Sequence, residues 1–512
     1  MEEIMARTVS FGVSGVNGFR VNVEVFGIDS MPGLEIIGLP DTSVRESKDR
    51  VNAAIINSGR EIKPRRITIN LAPADMKKEG PSFDLPIAVG FMTVVKALTP
   101  DPHIDMDKTA MFGELSLDGS VQPINGALPM VISAKENGME TVILPEKNAR
   151  EVSCIQGIKI LPVHHLKQVI HWLEGKENIP EQEQISFETL KNEAVPVMDM
   201  SQIKGQKGAR RAVEVAAAGG HNMLMIGPPG AGKSMLAARL PGLLPPMTQQ
   251  EILEVSMIHS VAGLLKDGNL ITQRPFRDPH HSASMPALVG GSIKARPGEV
   301  SLAHRGVLFL DELPEFQRAT LEALRQPLET GYVTVARANA HITYPARFQL
   351  VAAMNPCRCG YLGTPGQECS RAPKCAEEYQ SKISGPLLDR IDLHVGVPAV
   401  LPTEISAVSA GESSAQVAAR IQKAMEIQTQ RYQGTPIIRN AEADAATLDK
   451  IVPLKGAELA FMTEAATRLH LTARSFHRIL RVARTIADLA QSETVQIHHL
   501  AEALSFRGRQ GV

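Results

Sequence analysis

Thirteen residues, Asn222 to Ser234 (NMLMIGPPGAGKS), join a short apolar run to a glycine-rich turn and end in a lysine beside a hydroxyl. Within them Gly227, Pro228, Pro229, Gly230, Ala231, Gly232, Lys233 and Ser234 match GxxxxGK[ST] at every defined position. Glycines let the backbone curl so that its N–H groups face phosphate oxygens. Lys233 then reaches the outer phosphates, Ser234 ligates Mg2+, and the start of the following helix adds a favourable dipole. A second stretch, GVLFLDELPEF, is an apolar strand ending in acid. Asp311 suits the Mg2+ shell, and Glu312 suits polarisation of an attacking water. A third apolar run, FQLVAAMNP, ends at Asn355, whose amide can orient that water; alone, an asparagine there would read as an ordinary turn residue. Together these residues describe hydrolysis of a nucleoside triphosphate.

Such groups need a frame that brings three strand ends to one edge. From about 198 to 398, strand-like and helix-like segments alternate with Gly- and Pro-rich joints, which predicts an α/β core with a doubly wound parallel sheet. Residues 1–172 mix β-rich runs (FRVNVEVF, RRITINLA, TVILP) with helix-like segments, an α+β pattern. Residues 173–197 are polar with few apolar anchors and read as a linker. From 399 to 512, AQVAARIQKAMEIQTQRY, GAELAFMTEAATRLH and SFHRILRVARTIADLA space apolar residues by three and four, predicting a helical C-terminal domain. The 512 residues are 43% hydrophobic and 21% charged, with a net charge of −1. That balance fits a globular protein with an ample core, and any contact with nucleic acid must come from local patches. No run is long and apolar enough to span a bilayer, and MEEIMARTV lacks the apolar core of a signal peptide, so a cytoplasmic protein without membrane contact is expected.

The linked motifs resemble those of AAA+ ATPases of the magnesium-chelatase-like branch. HNMLMIGPPGAGKS, RPFRDPHHSAS, AHRGVLFLDELPEF, TYPARFQLVAAMNP and SGPLLDRID are similar to the corresponding stretches of the ComM/YifB family, and so are PGLEIIGLPDTSVRESKDRV and INLAPADMKKEGPSFDLPIA. The resemblance covers essentially the whole chain. It implies an AAA+ P-loop core with a helical lid, preceded by a Lon-protease-like domain, and it implies ATP with Mg2+. It makes Asn355 sensor 1, Arg390 in LLDRID the arginine finger, and Arg474 in LTARSFHRIL sensor 2 on the lid. An always-charged guanidinium supplied by a neighbour stabilises charge on the γ-phosphate, so a finger implies a ring; the family points to a hexamer.

The family's activity would be that of a motor on single-stranded or branched DNA, a branch-migration helicase in recombination or natural transformation. The alternative is a chelatase-like regulatory ATPase that remodels a partner protein. Between Lys233 and Asp311 lies a long segment that resembles the helix-2 insert lining the pore in related rings. It carries Lys266, Arg274, Arg277, Lys294 and Arg296, which suit a phosphate backbone. YVTVARANAHITYPARF alternates about an Arg-Ala-Asn-Ala tip and predicts a β-hairpin, with Arg337 as the foremost candidate for a DNA contact. His280 and His281 are adjacent, point to opposite faces if extended, and do not suggest a chelate. Cys357, Cys359, Cys369 and Cys375 fall in one loop after Asn355. Four thiolates suit tetrahedral Zn2+, but the C-x-C and C-x5-C spacings leave free thiols, and less readily a disulfide, as alternatives. Cys154 stands apart as a core residue.

KEGPSFDLPIA resembles the nucleophile segment of Lon-type proteases, with Ser82 as the serine. Such a serine needs a lysine to take its proton. The matching stretch Gly119–Met130 (GSVQPINGALPM) puts Leu128 at the lysine position, and Lys135 lies about 10 Å further along a helix. Lys77 and Lys78 belong to the Ser82 loop itself. Ser82 is therefore expected to be a helix N-cap in a domain that has kept the protease-like fold without its activity. That domain would serve as a ring collar or docking surface, with basic residues in REIKPRR.

Overall fold

The computed structural model describes residues 4–192, 198–291, 295–337, 340–362, 369–399 and 411–507. Two compact units emerge: Met1–Ala194 with Gln249–Thr272, and Val195–Thr248 with Gln273–Val512.

In the first unit the strands are β1 (Ile4–Ser14), β2 (Asn17–Ile28), β3 (Gly33–Ile37), β4 (Arg66–Ala72), β5 (Thr109–Met111), β6 (Thr141–Pro145) and β7 (Lys159–Val163). They form a mixed sheet in the order β3-β4-β2-β1-β5-β6-β7. The β1–β2 hairpin sets Ile4 opposite Gly27 and Ser14 opposite Asn17. Gly15 makes its two-residue turn possible with φ +65°, a conformation costly for residues with a Cβ. The unit's helices include α1 (Thr42–Asn57), α2 (Asp84–Val94), α3 (Ala127–Glu136), α4 (Glu146–Val152) and α5 (Leu166–Leu173). α2 and α3 pack on β1 and β2. Asp41 caps α1 by accepting from Val44 N at 2.8 Å, and its other oxygen accepts from Gly80 N at 3.1 Å, tying down the loop that leads to Ser82.

Ser82 is not the expected N-cap. It is buried inside a 3-10 turn, Pro81–Phe83, and α2 begins only at Asp84 with Phe83 in the cap position. The turn is held by backbone bonds, Ser82 O accepting from Gly113 N at 2.9 Å. The polar group at the head of α2 is instead Asp84, which is fully buried. It pairs with Arg50 at 2.7 Å, accepts from Leu115 N at 3.1 Å and meets the Ser47 hydroxyl. Burial drives its carboxyl upward against the pull of Arg50.

The expected linker is also partly docked. Ile179 is buried, Gln182 N donates to Ile160 O at 2.9 Å and Ile185 N to Ser153 O at 3.2 Å. The predicted insert divides as well. Its helix Gln249–Ala262 belongs to the first unit and packs on α3, with Gly126 N donating to Ser260 O at 3.0 Å. A Cβ on Gly268 would stand 3.1 Å from Arg150 Cβ, so the segment after this helix lies close along α4.

In the second unit α6 (Lys207–Gly219) precedes β8 (Met223–Ile226) and α7 (Lys233–Arg239). Strands β9 (Phe276–Arg277) and β10 (Val307–Leu310) follow, then the hairpin β11 (Tyr332–Arg337) and β12 (Ala340–Pro345), and β13 (Gln349–Met354). Next come α8 (Lys374–Gln380) and β14 (Leu393–Gly396). The five-stranded sheet runs β9-β10-β13-β8-β14, every pair parallel. β10 and β13 are buried along their whole length, as central parallel strands must be.

The C-terminal helices α9 (Ser414–Arg431), α10 (Gly456–Arg468), α11 (Ala473–Leu489) and α12 (Ile497–Ser505) share this unit's core. His221, at the start of β8, bridges Asp392 at 3.0 Å and Thr485 of α11 at 2.8 Å, and Gln428 of α9 donates to Ala218 O at 3.0 Å. Among the described residues no helix is long and apolar enough to cross a membrane.

Candidate nucleotide site

The parallel order brings the ends of β8, β10 and β13 to one edge of the sheet. After β8 the loop 227–232 turns sharply, with Gly230 at φ +76° and Gly232 at φ +86°, and α7 starts at Lys233. Gly227 is required by proximity: a Cβ there would lie 2.0 Å from Val397 O. Lys233 is mostly buried, and its ammonium donates to Gly227 O at 2.7 Å, Pro228 O at 2.9 Å and Asn355 Oδ1 at 3.2 Å. Burial lowers its pKa, opposed by Asp311 and Glu312. Ser234 Oγ donates to Asp311 Oδ2 at 2.8 Å. A hydroxyl and a carboxylate so close, both hard oxygen donors, fit Mg2+ bound together with phosphate oxygens. The four groups expected at the phosphates and the metal are thus drawn together from three strand ends.

Glu312 leaves the strand with φ +50°, a left-handed conformation uncommon outside glycine, and its N–H donates to Asp311 Oδ1 at 2.9 Å. Its carboxylate meets His281, whose Nδ1 stands 3.2 Å from Glu312 Oε2. Asp278 is a second newcomer, and its carboxyl is pushed upward by burial and then by Asp311. β9 lies parallel to β10 at the sheet edge, so residues following it emerge beside those following β10.

Arg390 lies at the amino end of β8, its carbonyl accepting from Asn222 Nδ2 at 2.9 Å, and Arg474 stands beside the same loop. Arg474 is the second residue of α11, exposed, and 3.5 Å from Asp389. Arg390 pairs with Glu329, and its Nη1 donates to Pro386 O at 2.5 Å. The neighbouring carboxylates are otherwise engaged, Asp389 with Arg474 and Asp392 with His221. To serve a neighbouring nucleotide, Arg390 has to leave Glu329.

Among the candidate DNA contacts, Arg274 and Arg277 have partners within the fold. Arg274 donates to Pro245 O at 2.7 Å and Arg305 O at 2.8 Å. Arg277 forms a two-point pair with Glu299 at 2.6 and 2.8 Å. Each guanidinium ties the fold together, and to reach a phosphate backbone it would have to give up these partners. Lys294 lies outside the described residues. The hairpin forms as expected, with Tyr332 opposite Pro345 and the Arg337 backbone opposite Ala340; its tip, 338–339, lies outside the described residues.

In the first unit Leu128, at the position a protease lysine would hold, is a fully buried residue of α3. Lys77 pairs with Glu79 at 2.6 Å, and the buried Lys78 donates to Pro73 O.

Comparison with known proteins meets this geometry from outside. Residues 199–405 match the model of magnesium chelatase subunit ChlI, 23–148 the model of subunit ChlI of Mg-chelatase, and 411–507 that of the ChlI C-terminal region. YifB of Escherichia coli K12 is 43% identical over 496 residues, covering 96% of this chain and 95% of that protein. Competence protein ComM of Haemophilus influenzae is 42% identical over 500 residues, with 96% and 95% covered. The chain belongs to the ComM/YifB family. Its ComM/YifB core is therefore an AAA+ ATPase core of the magnesium-chelatase type, with ATP and Mg2+ as the family's cofactors. Lon protease 2 of Bacillus subtilis is 30% identical over 143 residues, 27% of this chain and 25% of that protein, in keeping with a Lon-protease-like part joined to the ATPase.

Proposed function

We propose that this ComM/YifB-family ATPase works as a hexameric ring, each finger serving its neighbour's site, that hydrolyses ATP to move branched or single-stranded DNA, as in branch migration during recombination or uptake of DNA. The observation that carries the reading is the assembled hydrolytic site of Lys233, Ser234, Asp311, Glu312 and Asn355 in a chain similar to a competence protein along nearly its full length. Arg390 supplies the finger in trans and Arg474 the lid contact. The hairpin carrying Arg337 is the element that touches DNA, in the cytoplasm. The first unit is a collar without protease activity, since Ser82 lacks the lysine base that its chemistry needs. A second reading, remodelling of a partner protein, is favoured by the three matches to a chelatase subunit.

One experiment separates the two. ATP turnover is measured with and without a four-way DNA junction at increasing salt, alongside strand exchange from a labelled junction. The motor reading expects strong, salt-sensitive stimulation and ATP-dependent exchange. Turnover indifferent to DNA, with no exchange, would leave the remodelling reading in its place.

A further inference from the structure

The four cysteines after β13 remain outside the hydrolytic machinery, and their arrangement is specific. Their Sγ atoms all lie within 4.8 Å of one another. Cys357 and Cys359 approach to 3.1 Å between sulfurs, much longer than a disulfide bond of about 2.05 Å, and all four are free thiols. A tetrahedron of thiolates about Zn2+, with Zn–S of about 2.3 Å, needs sulfurs about 3.8 Å apart. The cluster therefore has the dimensions of a metal site, and no disulfide joins its thiols in the structure.

The backbone supports it from both sides. Gly360 N donates to Cys357 O at 3.0 Å, closing a tight turn around the first pair; Ala372 N donates to Cys369 O at 3.1 Å, closing a turn before Cys375. Cys375 is anchored in α8, and Cys357 is completely buried. We propose that Cys357, Cys359, Cys369 and Cys375 bind one soft divalent ion of the Zn2+ class as four thiolates. The four thiols release their protons on binding, and the ion has no open position for water or substrate.

The site's neighbours define its purpose. Cys357 follows Asn355 by two residues, and Gln380 of α8 donates to Pro356 O at 3.0 Å. A Cβ on Gly360 would stand 2.7 Å from Pro229 Cδ, so the first cysteine turn rests directly on the phosphate loop. The ion clamps the segment leaving the Asn355 strand to α8 and backs the phosphate loop. Its role is positioning. The inference stands whether or not the chain acts on DNA.

The test uses the full-length chain, purified without added metal or an affinity tag. Elemental analysis is expected to give one zinc per chain in the parent and in Cys154→Ser, and a loss of at least tenfold in Cys357→Ser/Cys359→Ser. Replacement by Co2+ is expected to produce thiolate-to-metal charge transfer together with the intense ligand-field bands of a tetrahedral site. Removing the ion with a chelator should weaken binding of a non-hydrolysable ATP analogue several-fold, and restoring Zn2+ should recover it. Should the double variant fail to fold, thiol titration of the native parent decides: Cys359, exposed in the fold, must react slowly until chelator is added. Sub-stoichiometric metal, a cobalt spectrum without thiolate charge transfer, or immediate reaction of Cys359 would overturn the proposal.

Discussion

At Glu312 the backbone takes a left-handed turn, and the carboxylate finds His281. The two adjacent acids thus have different partners, Asp311 with Ser234 and Glu312 with His281; the proposed mechanism gives Glu312 the attacking water. Glu312→Gln removes the proton acceptor and keeps the shape, so hydrolysis should fall by about 100-fold or more with ATP binding retained. Equilibrium binding beside single-turnover hydrolysis checks this, and unchanged hydrolysis would remove the carboxylate from the mechanism. His281→Ala should lower kcat about tenfold with KM little altered, because the imidazole orients a base and does not hold the nucleotide. A rise in KM alone would mean that His281 serves binding. The glycines, Lys233 and both acids were readable from their spacing because that chemistry depends on a contiguous loop and two strand ends. His281 was not, since adjacency in DPHHS says nothing about which strand end lies beside it. Arg274 and Arg277 show the same limit: a cation among prolines and glycines suits a phosphate, yet here backbone carbonyls and Glu299 take it first.

At the scale of elements, helical periodicity in EILEVSMIHSVAG predicts a helix but not the surface that receives it. The helix settles on α3, and the following turn approaches α4, where Glu151 is buried beside Asn148, whose Nδ2 donates to it at 2.7 Å. Burial raises the Glu151 carboxyl from 4.5 to about 7. An acid with a raised folded-state pKa stabilises the fold most when protonated, below its unfolded value, and loses that contribution as pH climbs through the folded one. The window here is pH 4.5 to 7. Glu151→Gln should flatten the dependence in that window and leave the protein about 3 kcal/mol more stable at pH 8. Urea unfolding at several pH values provides the check, and an unchanged slope would show that Glu151 is charged in the fold. Ser82 carries the complementary lesson. Serine ahead of an apolar helix suggests a cap, but a preceding proline and the Gly113 bond close a 3-10 turn first.

For the whole molecule, the α/β core, the α+β domain and the terminal helices followed from composition and periodicity, whereas the grouping of residues 249–272 with the first unit depended on tertiary packing. The proposed ring, with each site shared between neighbours, makes a distinctive demand. Arg390→Ala subunits retain a sound phosphate loop but no finger; Lys233→Ala subunits retain the finger but bind ATP poorly. Each should be inactive alone, and mixing them under subunit-exchange conditions should restore turnover to roughly a quarter of the parent, the share of interfaces that pair a sound loop with a sound finger at equal mixing. Turnover that stays at the level of the separate variants would place Arg390 on its own subunit's nucleotide or outside catalysis.

Because the chain leaves the first unit, enters the second, and returns for residues 249–272, no single cut yields either part whole. A polypeptide begun at residue 195 would still carry Ile252, Val255 and Ile258, all buried in the intact fold, on a helix deprived of its host. Expressed that way it should precipitate, while one that also replaces 249–272 with a short polar bridge should remain in solution, a contrast that centrifugation of the lysate would reveal. Inheritance faces the same restriction: a lineage could discard the first unit only by losing two separate stretches of its gene at once.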